Sequence, residues 1–190
     1  MLDQLPIQLI GSDDGDCEAR AVALGQMGED SLPPLRAVLS EGDIDARFWA
    51  VRALWEMGTQ SAIAALMGVL DDVNEMVRSG AALALGELKA EVAIAKLARV
   101  MREEQGSSGD HAADALSKLG DAATSPLIEA LESARPWVRI RAARALVPIQ
   151  SPDAIPALIQ ALDDDSYVVC HYAEEALARM GVGEIIYFKP

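Results

Sequence analysis

A chain of 190 residues that is 51% hydrophobic can bury a sizeable core, and with only 4% aromatic residues that core must be built from Ala, Leu, Val and Ile. A net charge of −14 excludes a general nucleic-acid binder, because neutralising phosphates needs a surplus of Lys and Arg on the contact face. No apolar run approaches the roughly 20 residues of a membrane span, and Asp3 stands where a signal peptide would be basic, so a cytoplasmic protein without membrane attachment is expected.

An Ala-Leu pair recurs with its leucine at Leu24, Leu54, Leu85, Leu116, Leu146 and Leu177, at intervals of 30 or 31 residues. Six units therefore fill one domain, approximately 1–28, 29–58, 59–89, 90–120, 121–150 and 151–181, and residues 182–190 remain as a C-terminal cap. In the fifth unit Val138, Ala142, Ala145, Leu146 and Ile149 fall at i, i+4, i+7, i+8 and i+11, the apolar stripe of an amphipathic helix. Each unit reads as a short first helix followed by a longer second helix of this kind.

In chain order the first helices are expected near 4–10, 32–39, 61–70, 92–101, 123–131 and 153–162. Gly28, Gly58, Gly120 and Gly181 follow four of the second helices, where a left-handed residue closes the last turn; Lys89 and Gln150 stand there in the other two. Between the two helices of a unit lies an acidic turn: Glu41 and Asp43, Asp71 and Asp72, Glu132, and Asp163 to Asp165. Seven residues before the reference leucine stand Arg47, Arg78 and Arg139, on a phase that faces inward. An inward arginine needs a partner, so these three are expected to form a structural ladder with the acidic turns. Cys17 and Cys170 take the same place in the terminal units and are expected to be buried free thiols, too far apart to bridge.

The stretch Asp71 to Gly86, DDVNEMVRSGAALALG, combines the acidic turn, the Val-Arg pair and Ala-Ala-x-Ala-Leu. In these features the chain resembles HEAT-like repeats of the phycobilisome-lyase type over nearly its whole length. Val77-Arg78 and Val138-Arg139 match best, whereas Asp16-Cys17, Ser108-Gly109 and Val169-Cys170 depart at the arginine. The resemblance implies an all-α fold, a right-handed α-solenoid (α-α superhelix) of six two-helix repeats. It also implies that the second helices line a concave surface, and it speaks weakly to function.

The fourth unit is irregular. Its turn, 102–109 (REEQGSSG), has lost the Val-Arg pair and gained glycines and serines, so its second helix is expected to start late, near Asp110. Gly-Ser-Ser-Gly lacks the lysine and preceding strand of a phosphate cradle. The apolar tail 184–190 is expected to cap the last repeat, with dimerisation through it as the alternative.

By that resemblance the outer stripe of the second helices, on the concave surface, is the candidate partner-binding face: Trp49, Arg52, Glu56, His111, Asp114, Trp137, Arg141, Arg144, Tyr172 and Arg179. Trp, Tyr and Arg dominate protein-interface hot spots, so the leading expectation is a scaffold that binds another protein on this face. The alternative, from the resemblance, is a bilin lyase or related chromophore-handling protein, with Trp137, Arg141, Arg144, Tyr172 and Arg179 holding an anionic aromatic ligand. Trp49 and Trp137 lie three units apart, about 30 Å at the usual helix spacing, so no small molecule reaches both. Catalytic machinery is thin: His111 with Asp114 is a single i, i+3 pair, and the His-Glu dyads of iron-binding HEAT-repeat hydroxylases do not occur. No metal, cofactor or catalytic residue is assigned.

Overall fold

Asp43, Thr59 and Asn74 each end a turn by accepting backbone N–H groups two or three residues ahead, at Ala46, Ala62, and Met76 and Val77, and so start three helices. The structure, a computed structural model, describes residues 14–182. Its second helices are α1 (Asp14–Gln26), α3 (Ile44–Met57), α5 (Glu75–Glu87), α7 (Ser107–Leu119), α9 (Pro136–Ile149) and α11 (Tyr167–Arg179). The first helices are α2 (Leu32–Glu41), α4 (Gln60–Val69), α6 (Ile94–Glu103), α8 (Thr124–Leu131) and α10 (Ile155–Ala161). Short 3-10 turns lead into α2, α6, α8 and α10. No strand occurs among the described residues.

All six repeat ends turn through a left-handed residue: Gly28, Gly58, Lys89, Gly120, Gln150 and Gly181 have φ of 67, 59, 49, 65, 55 and 75°. Lys89 and Gln150 adopt the conformation that glycine takes elsewhere at a steric cost of about 1–2 kcal/mol, so the repeat geometry overrides local preference there. The reference leucines Leu54, Leu85, Leu116, Leu146 and Leu177 are wholly buried, as are the alanines Ala50, Ala81, Ala112, Ala142 and Ala173 four residues before them. Leucine fills the space between the layers, and alanine lets neighbouring second helices approach closely.

The chain's contacts divide it into Met1–Ala93 and Ile94–Pro190. In the first unit α1, α3 and α5 pack side by side as one layer, and α2 and α4 lie against them as a second. In the second unit α7, α9 and α11 form one layer, with α6, α8 and α10 in the other. The boundary falls after the third repeat.

One expected helix boundary needs correcting. The second helix of the fourth unit starts at Ser107, three residues ahead of Asp110, because the turn before it is held from a neighbouring helix, as described below. The first helix expected near 4–10 and the tail 184–190, with its capping or dimerising role, lie outside the described residues.

Candidate protein-binding face

The inward arginines set the turns from which the outer face is built. Arg47 donates from Nε and Nη2 to both carboxylate oxygens of Asp72 at 2.8 and 3.1 Å, and its Nη1 donates to the Gly42 carbonyl. Arg139 repeats this with Asp164 at 2.6 and 2.9 Å, and with the Ser133 carbonyl. Each arginine thus ties its own turn to the aspartate of the next repeat. The aspartate in turn accepts the backbone N–H two residues on, Asn74 or Ser166, both at 2.8 Å. Arg139 and Asp164 side chains are 14% and 12% exposed, so the pair is shielded from solvent screening. The Arg139 hydrogen bonds hold the Asp164 carboxyl below its ordinary range, and Asp164 raises the Arg139 guanidinium in return. Arg78 donates to the carbonyls of Asp72 and Val73. Cys170, in the arginine position of the last repeat, points its thiol at the Asp164 carbonyl at 3.1 Å. It is half-buried, whereas Cys17 is buried, so the expectation of two fully buried thiols holds for Cys17 alone.

The fourth repeat solves the same problem differently. Glycine occupies the arginine position at Gly109, and the guanidinium comes from Arg141 of α9. Arg141 donates to the carbonyls of Met101, Glu104, Gln105 and Gly106, closing the C-terminal end of α6, and to the Asp110 carboxylate at 2.7 Å. Ser108 adds a bond to the Glu104 carboxylate at 2.6 Å. This network lets α7 begin at Ser107. It also removes Arg141 from the binding stripe: the side chain is 5% exposed and its donors are committed within the chain. Sequence periodicity assigned it outward because it sees only the phase on α9; the missing arginine at Gly109 was the available signal.

The other stripe residues remain at the surface, in two groups. In the first unit Trp49 is half-buried and meets Phe48 edge-to-face at 5.4 Å, and Arg52 lies over the Trp55 ring at 5.0 Å while pairing with Glu56 at 3.3 Å. In the second unit Trp137 is half-buried with one ring face against Arg141, whose guanidinium lies 4.9 Å from the ring centre. Arg144 pairs with Asp114 at 2.8 Å and Arg179 with Glu175 at 2.7 Å. Tyr172 tilts against His171, which stacks on the exposed Tyr167. His111 and Asp114 do not act as a pair: Asp114 serves Arg144, and the buried Nδ1 of His111 has no hydrogen-bond partner. Among the described residues no three His, Cys, Asp or Glu side chains converge on a metal position. No helix among them is long and apolar enough to cross a membrane.

A family model of HEAT repeats matches residues 32–117 and 109–178. The chain belongs to the HEAT-repeat family. Among solved structures, this HEAT-repeat chain is similar to the complex of CpcE and CpcF of phycocyanin lyase from Nostoc sp. PCC7120, at 24% identity over 95% of this chain and 77% of that one, with a TM-score of 0.56. An archaeal HEAT-like repeats protein from Thermococcus onnurineus NA1 matches at 17% identity, 95% and 80% coverage and a TM-score of 0.64. A designed armadillo repeat protein in complex with the peptide (KR)4 matches at 22% identity, 94% and 99% coverage and a TM-score of 0.51. These likenesses establish the fold, an α-solenoid of helical repeats. No curated protein matches the chain.

Proposed function

We propose that this HEAT-repeat protein is an interaction scaffold that binds another protein on the concave face lined by its second helices. The observation that carries the reading is the state of the arginines around Trp137. Arg141 is locked beneath the 102–109 turn, and Arg144 and Arg179 each face a carboxylate, so most of the charge around Trp137 and Tyr172 is balanced, with the exposed Arg135 as a cation at the edge of the Trp137 ring. Largely balanced surfaces with rigid aromatic anchors suit a protein partner, whose hot spots bury Trp and Tyr inside a polar rim. His111, Asp114 and Arg144 would form part of that rim here, and Trp49, Arg52 and Glu56 the corresponding group in the first unit. The two free thiols fit a reducing, cytoplasmic setting.

A bilin-handling role is the alternative, and the likeness to a phycocyanin lyase complex is compatible with it. A chromophore carrying two propionates needs guanidinium groups that no carboxylate already holds, whereas Arg141, Arg144 and Arg179 each face one and Arg135 alone beside Trp137 is bonded to a carbonyl instead. Two experiments separate the readings. Proteins captured by the wild type and lost with Trp137→Ala at unchanged thermal stability support the scaffold. An absorbance shift on titrating a linear tetrapyrrole, abolished by Trp137→Ala and Arg144→Ala, would transfer the function to the alternative.

A further inference from the structure

The second-helix face of the first unit differs in charge from that of the second. Its centre is apolar: Trp49 and Leu83 are half-buried, and Met76 is 47% exposed. Its margin is acidic. Glu18, Asp45 and Glu56 are all exposed, and the base among them is Arg52, which Glu18 approaches at 3.9 Å and Glu56 at 3.3 Å. Arg20 is balanced by Asp16 on α1, and Arg47 is turned inward to Asp72, so neither offsets the margin. Three carboxylates against one guanidinium leave this margin at about −2, in a chain that is itself acidic.

We propose that this face, formed by α1, α3 and α5, takes a cationic segment of a partner protein: one or two bulky apolar side chains seated against Trp49 and Met76, flanked by Lys or Arg that meet Glu18, Asp45 and Glu56. Charge complementarity selects the occupant. An apolar centre accepts the anchors of many partners, but an acidic margin repels an acidic segment and leaves a neutral one to strand the desolvated carboxylates. The exposed carboxylates supply rate and selectivity, while the half-buried Trp49 supplies hold. The proposal rests on the scaffold reading and adds the chemistry of the partner to it.

The test is selection from two displayed peptide libraries against the full chain, both with randomly placed Leu, Phe and Trp, one with Lys and Arg at the remaining charged positions and the other with Asp and Glu. Cationic peptides are expected to be selected, to lose at least tenfold in affinity with Trp49→Ala or with the triple variant Glu18→Gln, Asp45→Asn, Glu56→Gln, and to weaken as salt rises. A control triple, Asp121→Asn, Glu132→Gln, Asp153→Asn, neutralises exposed acids elsewhere and is expected to change affinity less than twofold. Selection of acidic peptides, selection of none, or equal losses in both triple variants would overturn the proposal. The scaffold reading would survive any of these, because it is judged on captured proteins and Trp137.

Discussion

Arg141 occupies the space that the side chain of residue 109 would fill: a β-carbon on Gly109 would lie 2.7 Å from Arg141 Cζ. Glycine at 109 and arginine at 141 are therefore one device, which restores to the fourth repeat the guanidinium that its own second helix lacks. Arg141→Ala leaves the last carbonyls of α6 and the Asp110 carboxylate without their donor. It is expected to cost about 3 kcal/mol and to expose 102–109 to proteolysis before the rest of the chain. Arg141→Lys should recover little of this, because an ammonium offers three donors from a single point where the guanidinium fork reaches four carbonyls and a carboxylate. Chemical denaturation and limited proteolysis of the two variants check both statements. An Arg141→Lys variant as stable as the wild type would show that charge alone suffices.

The Arg139–Asp164 pair makes a prediction about pH. Asp164 has its folded pKa depressed, so its contribution is fully present above the ordinary carboxyl value of about 3.9 and is lost as pH falls through the lower, folded value. Arg139 has its folded pKa raised, so its contribution is complete at any pH below the ordinary guanidinium range and does not vary in the acidic range. Asp164→Asn should therefore be less stable than the wild type by a constant amount, about 2–3 kcal/mol, from about pH 5 to neutrality. The gap should close below about pH 4. Urea denaturation across that range measures it, and a gap that widened on acidification would reverse the assignment.

The repeat itself was legible in the sequence because its signals are local. Spaced Ala-Leu pairs, inward arginines and glycines at repeat ends each act within one helix or turn, and the helices formed close to where those signals put them. The Arg141 network was not legible in the same way. It joins residues 35 to 40 positions apart, and the helical phase of Arg141 on α9 is that of an outward residue. A long side chain can leave its phase when a neighbouring repeat offers unfilled space, and only the packing of α7 against α9 reveals that Gly109 does so. Cys170 departs from expectation for a related reason. A thiol is shorter than a guanidinium, so it keeps the turn carbonyl but leaves the rest of the arginine's space incompletely closed.

That difference between the two cysteines is measurable. Cys17 is buried in α1, whereas Cys170 is half-exposed near the start of α11 with its S–H on the Asp164 carbonyl. Under native conditions a thiol reagent should modify Cys170 first, and Cys17 only through opening of α1. Two phases of unequal rate are expected, with Cys170→Ser removing the faster one. A single phase for both thiols would mean that α1 opens as readily as the surface of α11.

The arginines around Trp137 separate binding from stability, and the final prediction uses that separation. Trp137 lies against Arg141 and is also approached by Arg135 at 5.7 Å, so Trp137→Ala forfeits two cation–π contacts as well as the surface anchor. The loss to folding should be modest, about 1–2 kcal/mol, because the ring is only half-buried. The loss to partner binding should be larger, about 2 kcal/mol or more, if this face docks a protein. Arg141→Ala should give the opposite signature: a strongly destabilised fold, and weakened binding only as far as the 102–109 turn supports the face. Arg144→Ala removes an exposed pair worth about 0–1 kcal/mol and should alter stability least of the three. Calorimetric melting alongside titration of a captured partner distinguishes them. Equal binding losses for Trp137→Ala and Arg141→Ala, in step with their stability losses, would mean that both act through folding alone and that Trp137 is not an anchor.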